Sequence, residues 1–193
     1  MKKLLFIFGL IGSIQFITLP ANAQAFYQGA SMLSVGIGFG GVHGDYSPTA
    51  SSPTTGLSYE YGITEFNQGV LGVGLYLGNK VFTLRKEEVN PIFYQESKWD
   101  YTIVGLLGNY HFSTRHRYDP YISVMGGIKS LTYKNVNTTN QEDPYSSSSK
   151  SKVGVAFSVG GGVRYFWSNN IAAFGEVGYG ISYVTIGACI KLW

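Results

Sequence analysis

Four charged residues, Glu60, Arg164, Glu176 and Lys191, stand where their spacing could do chemistry as a group. Each falls among small residues in a stretch where apolar and small residues alternate. Side chains of period two point to opposite faces of a β-strand. The four charges therefore share the face turned away from the apolar one. Two chemistries suit such a set. One is a gated or proton-conducting path; the other is a polar core in which the charges neutralise each other. If residues 168–170 form a turn, Arg164 lies opposite Phe174. Glu176 is then its diagonal neighbour on the same face. The spacing predicts an Arg164–Glu176 ion pair with a structural role, because the pair would fill a narrow enclosed space.

The histidines offer a second chemistry. His43 lies near Asp45 and Ser47, and a hydrolase can pair histidine with serine while a carboxylate orients the ring. No esterase motif surrounds it, and the polarity of a loop accounts for it. His111 and His116, with Arg115 and Arg117, read as a solvated turn, contact with lipid phosphate being the functional alternative. Gly74-Leu-Tyr-Leu-Gly78 and Gly160-Gly161-Gly162 lack the strand–helix context and the Lys-Ser/Thr of a phosphate loop. Glycines that make room for large side chains explain them. No His/Cys/Asp/Glu group has metal-ligand spacing. No catalytic residue, cofactor or metal is predicted.

Eight segments must position these residues: 31–40, 57–64, 70–78, 99–112, 121–130, 152–167, 171–180 and 184–193. In the first, Leu33, Val35, Ile37 and Phe39 alternate with Ser34, Gly36, Gly38 and Gly40. In the sixth, Val153, Val155, Phe157, Val159, Val163, Tyr165 and Trp167 share one parity. That segment is long enough to cross a membrane at a tilt, which takes roughly 9–11 residues. Both faces of 99–112 are fairly apolar, so the pattern does not orient it. Long polar connections (42–56, 79–98, 131–151) alternate with short ones (65–69, 113–120, 168–170), and 180–183 leaves room for a tight hairpin.

Charged residues are 13% of the chain, against about 25% in soluble proteins. The chain has 26 Gly, 15 Tyr and 12 Phe. A net charge of +3 includes Lys2 and Lys3 and leaves no nucleic-acid footprint. Those lysines, the apolar run 4–19 and Ala21-Asn22-Ala23 predict a secretory signal over 1–23, cleaved to leave a single domain over 24–193. The single cysteine, Cys189, cannot form an internal disulfide. A soluble barrel would show a charged exterior; here the non-apolar face is mostly Gly, Ala and Ser. Tyr59, Tyr61, Tyr110, Phe112, Tyr121, Tyr165, Trp167, Tyr179 and Trp193 cluster near predicted strand ends, where amphipathic rings favour a lipid–water boundary.

On Gly160-Gly-Gly-Val-Arg-Tyr-Phe166, Phe174-Gly-Glu-Val-Gly-Tyr-Gly180 and Ile186-Gly-Ala-Cys-Ile-Lys-Leu-Trp193, the chain resembles the small porin-like outer-membrane barrels of the OmpA/OmpX type, over residues 31–193. The resemblance implies an all-β, eight-stranded antiparallel up-and-down transmembrane barrel in a bacterial outer membrane, reached by export to the periplasm. It implies contact with outer-membrane lipid and lipopolysaccharide, recognition of the C-terminal strand by the barrel-insertion machinery, and a monomer. The family usually ends in Phe, in phase with alternate apolar residues. Here Trp193 is in phase with Lys191 and Cys189 instead. No residues remain for the peptidoglycan-binding domain of full-length OmpA-type proteins. Strand material for eight excludes a general diffusion pore. The expected role is structural or surface interaction through the long outer loops, with Lys134, Lys150, Lys152 and the serine run 146–149 most exposed. The alternatives are a narrow solute conduit and, less favoured, an outer-membrane lipid hydrolase.

Overall fold

Alternating residues build strands along most of the chain. The computed structural model describes residues 25–41, 50–87, 93–112, 117–139 and 150–193. Its strands are β1 (Ser31–Phe39), β2 (Ala50–Ser51), β3 (Thr54–Phe66), β4 (Gly69–Glu87), β5 (Phe93–His111), β6 (Tyr118–Thr139), β7 (Lys150–Phe166), β8 (Ile171–Tyr179) and β9 (Val184–Lys191). β2 and β3 both pair with β4, Ser51 against Phe82 and Thr55 against Asn79, so they form one stave. The break between them is Ser52-Pro53, where proline lacks the N–H a ladder needs. Ser52 repairs it: its N–H donates to the Val81 carbonyl at 2.8 Å, and its hydroxyl accepts from the Val81 N–H at 2.9 Å.

The eight staves run antiparallel in the order β4-β3-β1-β9-β8-β7-β6-β5, and β4–β5 pairing closes the ring. Asn67 and Gln68, both at positive φ, make the tight turn between β3 and β4 that a two-residue hairpin demands. The β3–β4 and β7–β8 turns, the start of β1 and the end of β9 lie at one end of the barrel, here the turn end. The β8–β9 hairpin and the far ends of β4–β7 lie at the other, the loop end.

The parity of each strand sends apolar residues outward. Leu106 is 70% exposed and Val155 77%, whereas Glu60 is 1% exposed. This inverts a soluble barrel. Ser34, Ser123, Asn109 and Arg164 are buried inside. β5, unoriented by its pattern, places Ile103, Gly105, Asn109 and His111 inward and Val104 and Leu106 outward.

Three expectations need correction. Residues 79–87, 93–98 and 131–139 are strand where loops were predicted, making β4, β5 and β6 19, 19 and 22 residues long. In sequence the alternation of apolar and polar residues stops there, while the backbone ladder continues. Tyr121 does not join the aromatic girdle. It shares the inward parity of Asp119 and Ser123 and is 4% exposed. Tyr59, Tyr61, Phe112, Tyr165, Trp167, Tyr179 and Trp193 are exposed and Tyr110 half-buried, with Phe66 and Tyr118 added to the turn-end group. Lastly, the terminal strand stops at Lys191, so Leu192 and Trp193 are both exposed and the phase conflict disappears.

Residues 1–24, 42–49, 88–92, 113–116 and 140–149 lie outside the described residues. The predicted signal, His43, Asp45, Ser47, Arg115, His116 and the serine run fall there, as do the side chains of Lys134 and Lys150.

Backbone spacing inside the barrel is tight enough to test. A Cβ at Gly74 would overlap the Tyr59 carbonyl oxygen, while one at Gly126 meets nothing within 4 Å. Gly74→Ala should cost about 1–3 kcal/mol by overpacking. Gly126→Ala should hold or raise the urea unfolding midpoint. Equal losses in the two variants would contradict this packing.

Candidate functional site

The lumen narrows toward the turn end around one charge cluster. β3 supplies Glu60, β5 His111, β6 Asp119 and β7 Arg164. Arg164 Nη2 donates to Glu60 Oε2 at 2.6 Å. His111 Nε2 lies 2.7 Å from Glu60 Oε1, and His111 Nδ1 2.8 Å from Asp119 Oδ1. Arg164 Nη1 approaches Asp119 Oδ2 at 3.6 Å, completing a ring of two cationic groups and two carboxylates. A neutral imidazole has one donor, so only the doubly protonated ring satisfies both carboxylates. In that state the four charges sum to zero. Glu60, His111 and Asp119 are almost wholly buried, and Arg164 nearly so. The ring ties four staves together.

Aromatic rings close around it. His111 stacks against Phe26 with centroids 4.1 Å apart, and lies 5.5 Å from Tyr121. The Arg164 guanidinium sits 4.7 Å from the Tyr121 ring and 5.8 Å from the Phe26 ring. Phe26 belongs to residues 25–30, which precede β1 and fold beneath the barrel. Gly29 N–H donates to the Gly62 carbonyl at 2.8 Å, and Gly62 N–H to the Ala30 carbonyl at 2.9 Å. Gly62 is required, because a Cβ there would overlap the Tyr27 carbonyl. Phe26 packs with Met32, Val70, Phe166, Ala172 and Cys189.

The predicted charge set is therefore rearranged. Glu60 and Arg164 meet directly. Arg164 does lie opposite Phe174 in the β7–β8 register, as expected, yet its ion partners are Glu60 and Asp119, not Glu176. Glu176 instead accepts a hydrogen bond from the Tyr121 hydroxyl at 3.0 Å. Sheet register shows only neighbours along the wall, whereas Arg164 is long enough to reach across the lumen. Lys191 is inward and buried, its Nζ 5.4 Å from the Tyr27 ring and 5.5 Å from the Phe166 ring. His111, expected in a solvated turn, is the last residue of β5 and fully buried. Asp119 and Phe26 were not anticipated. The inward parity that Asp119 shares with Tyr121 and Ser123 was the available signal for it; Phe26, outside any strand, had none.

Above the ring is a cavity of about 80 Å³, lined among others by Ser34, Ser58, Asn109, Ser123, Arg164 and Glu176. A water needs roughly 10–15 Å³ on such a measure, so it holds several. Among the described residues, Thr54 Oγ1, Asn109 Oδ1 and Arg164 Nε have no hydrogen-bond partner, and all three side chains line this space. Its ceiling is the β8–β9 hairpin, folded inward. Ile181 packs on Ile103, Met125 and Ala156, and Lys80 Nζ donates to the carbonyls of Gly40 and Ile181. Chemically the ring is a brace. Among the described residues, the His111 nitrogens bond carboxylates and no nucleophile, and no group of His, Cys, Asp and Glu could hold a metal.

These features define an eight-stranded antiparallel barrel with an apolar exterior and a polar lumen. No protein-family model matches the chain, and no curated protein does. Among solved structures, the chain is similar to the N-terminal β-barrel domain of Pseudomonas aeruginosa OprF, at 17% identity and a TM-score of 0.48, over 86% of this chain and 98% of that one. It is also similar to Ail, the attachment invasion locus protein of Yersinia pestis, solved with the heparin analogue sucrose octasulfate, at 15% identity and a TM-score of 0.44, over 86% and 96%. The eight-stranded closure rests on this chain's own register.

The ring predicts an order of couplings. Arg164→Met leaves two carboxylates facing one cation and should cost about 3–5 kcal/mol. In double-mutant cycles read from urea midpoints, Arg164→Met should couple more strongly to Glu60→Gln than to Glu176→Gln. The reverse order would restore the pair expected from the sequence.

Proposed function

We propose that this protein is an integral barrel of a bacterial outer membrane, a non-enzymatic surface-interaction protein that uses its loop-end extension. The observation that carries the location is the inverted polarity. Val104, Leu106 and Ile128 form a continuous outward band with Leu75 and Leu77. The band ends where Asn79 Nδ2 donates to Asp100 Oδ1 at 2.6 Å. A closed sheet satisfies its backbone within the wall, which lipid requires. Lipid and lipopolysaccharide surround the band in this reading. The C-terminal strand meets the insertion machinery, and the barrel works as a monomer.

The role is read from the part of β4–β7 beyond that band. Crossing takes roughly 9–11 residues, so staves of 19, 19 and 22 residues extend well past the lipid. Register sets Lys80, Tyr101, Leu131 and Lys152 in one row across the four strands. Directly opposed residues share a face, and this one is concave. Lys129 Nζ lies 5.9 Å from the Tyr101 ring on the same side. Asp100 has the opposite parity. The face is thus aromatic and basic, which suits anionic surface ligands. The charge ring across the lumen weighs against both a general pore and a narrow conduit.

Leu106→Arg should lower stability in lipid vesicles by about 2–4 kcal/mol, and Thr102→Arg, at the band's edge, by about 0–1. Release of the mature protein into the soluble periplasm would refute the location. On whole cells, Lys129→Glu with Lys152→Glu should weaken adhesion to anionic surfaces while the heat-modifiable folded band persists. Unchanged adhesion would remove the surface reading.

A further inference from the structure

We infer that residues 25–30 are a displaceable stopper, closing the lumen at the turn end over a blind polar chamber. The segment is not a stave. It has no strand ladder, and its backbone hydrogen bonds to the wall among the described residues are the two with Gly62; the rest of its hold is the packing of Ala25, Phe26 and Ala30 and the Lys191–Tyr27 contact. β1, which follows directly, is paired along its length with both β3 and β9. The contrast matters, because segments with few backbone bonds open locally at lower free energy than the ladders they rest on.

The seat is specific. Phe26 is fully buried against the face of His111, so the side chain entering the mouth covers the charge ring. Gly62 lacks the Cβ that would push the Tyr27 carbonyl away. The wall at this point also shifts register between Gly62 and Thr64, and such bulges often re-aim a strand at a functional edge. Behind the stopper lie Cys189, then the ring, then the cavity. Toward the opposite end the inward hairpin and the Lys80 hydrogen bonds to Gly40 and Ile181 stand over the cavity. Leaving the seat therefore opens a chamber from the turn end without making a through-channel.

Cys189 is the chain's one cysteine and packs in the same cluster as Phe26, so it reports on the stopper. The purified barrel in lipid vesicles or detergent would be treated with a water-soluble methanethiosulfonate, with labelling followed by mass. The unaltered chain should react slowly. Phe26→Ala and Gly62→Ala, one emptying the seat and the other pushing the segment off it, should each react about ten-fold faster or more. Planar-bilayer conductance should stay at the level of the unaltered chain. Gly74→Ala, which strains the wall elsewhere, should label slowly. Equal acceleration in Gly74→Ala would mean general loosening and overturn the inference, as would unchanged labelling in both stopper variants. A large conductance in either variant would show a through-pore and overturn the blind chamber. If neither variant yields the folded band, the segment is part of the fold and not a stopper.

Discussion

Closing an antiparallel sheet on eight staves leaves no free edge and a lumen barely wide enough for its own side chains. The rest of the structure follows from that narrowness. Alternation divides each stave into an outward apolar set and an inward set that must share little room. Many inward positions are accordingly Gly or Ser. Where large side chains do enter, as with Tyr76, Tyr121, Phe174 and Glu60, glycines face them. A Cβ at Gly162 would crowd the Tyr121 ring, and one at Gly56 the Tyr76 ring.

Charges in such a space must find one another. Isolated ionised groups in an enclosed interior are expensive, and a pair recovers the cost only with good geometry and further hydrogen bonds. The ring of Glu60, His111, Asp119 and Arg164 meets both conditions. Each carboxylate sees two cationic neighbours, and the guanidinium is covered by Tyr121 and Phe26. Because one member comes from each of four staves, the cluster joins parts of the wall that share no backbone ladder, such as β3 and β7. Glu176 is held apart by Tyr121 and lines the cavity.

Polarity divides the molecule along its length as well as across its wall. In the turn-end half the outside is apolar and the inside polar. Beyond that, Lys80, Tyr101 and Lys129 lie inside and Asp100 outside. The Asn79–Asp100 bond marks the change. The ladder is indifferent to this division, since its hydrogen bonds are made by backbone, so the staves continue far past the point where their side chains stop alternating.

Periodicity alone determined much of this protein. The inward positions of Glu60, Arg164, Glu176 and Lys191, the eight strand segments, the outward apolar face and the β7–β8 register are local consequences of a period of two, and all are legible in the chain. Strand length was not, because solvated strands carry no alternation. The orientation of β5 was hidden by its apolar lumen residues, Ile103 and Leu107. The partners of Arg164, the burial of His111, the entry of Phe26 and the inward hairpin at Ile181 belong to tertiary structure. They depend on closure, which sets staves distant in sequence face to face across the lumen. Register reports only neighbours within the wall, and interactions through the enclosed space exist only once the wall is complete.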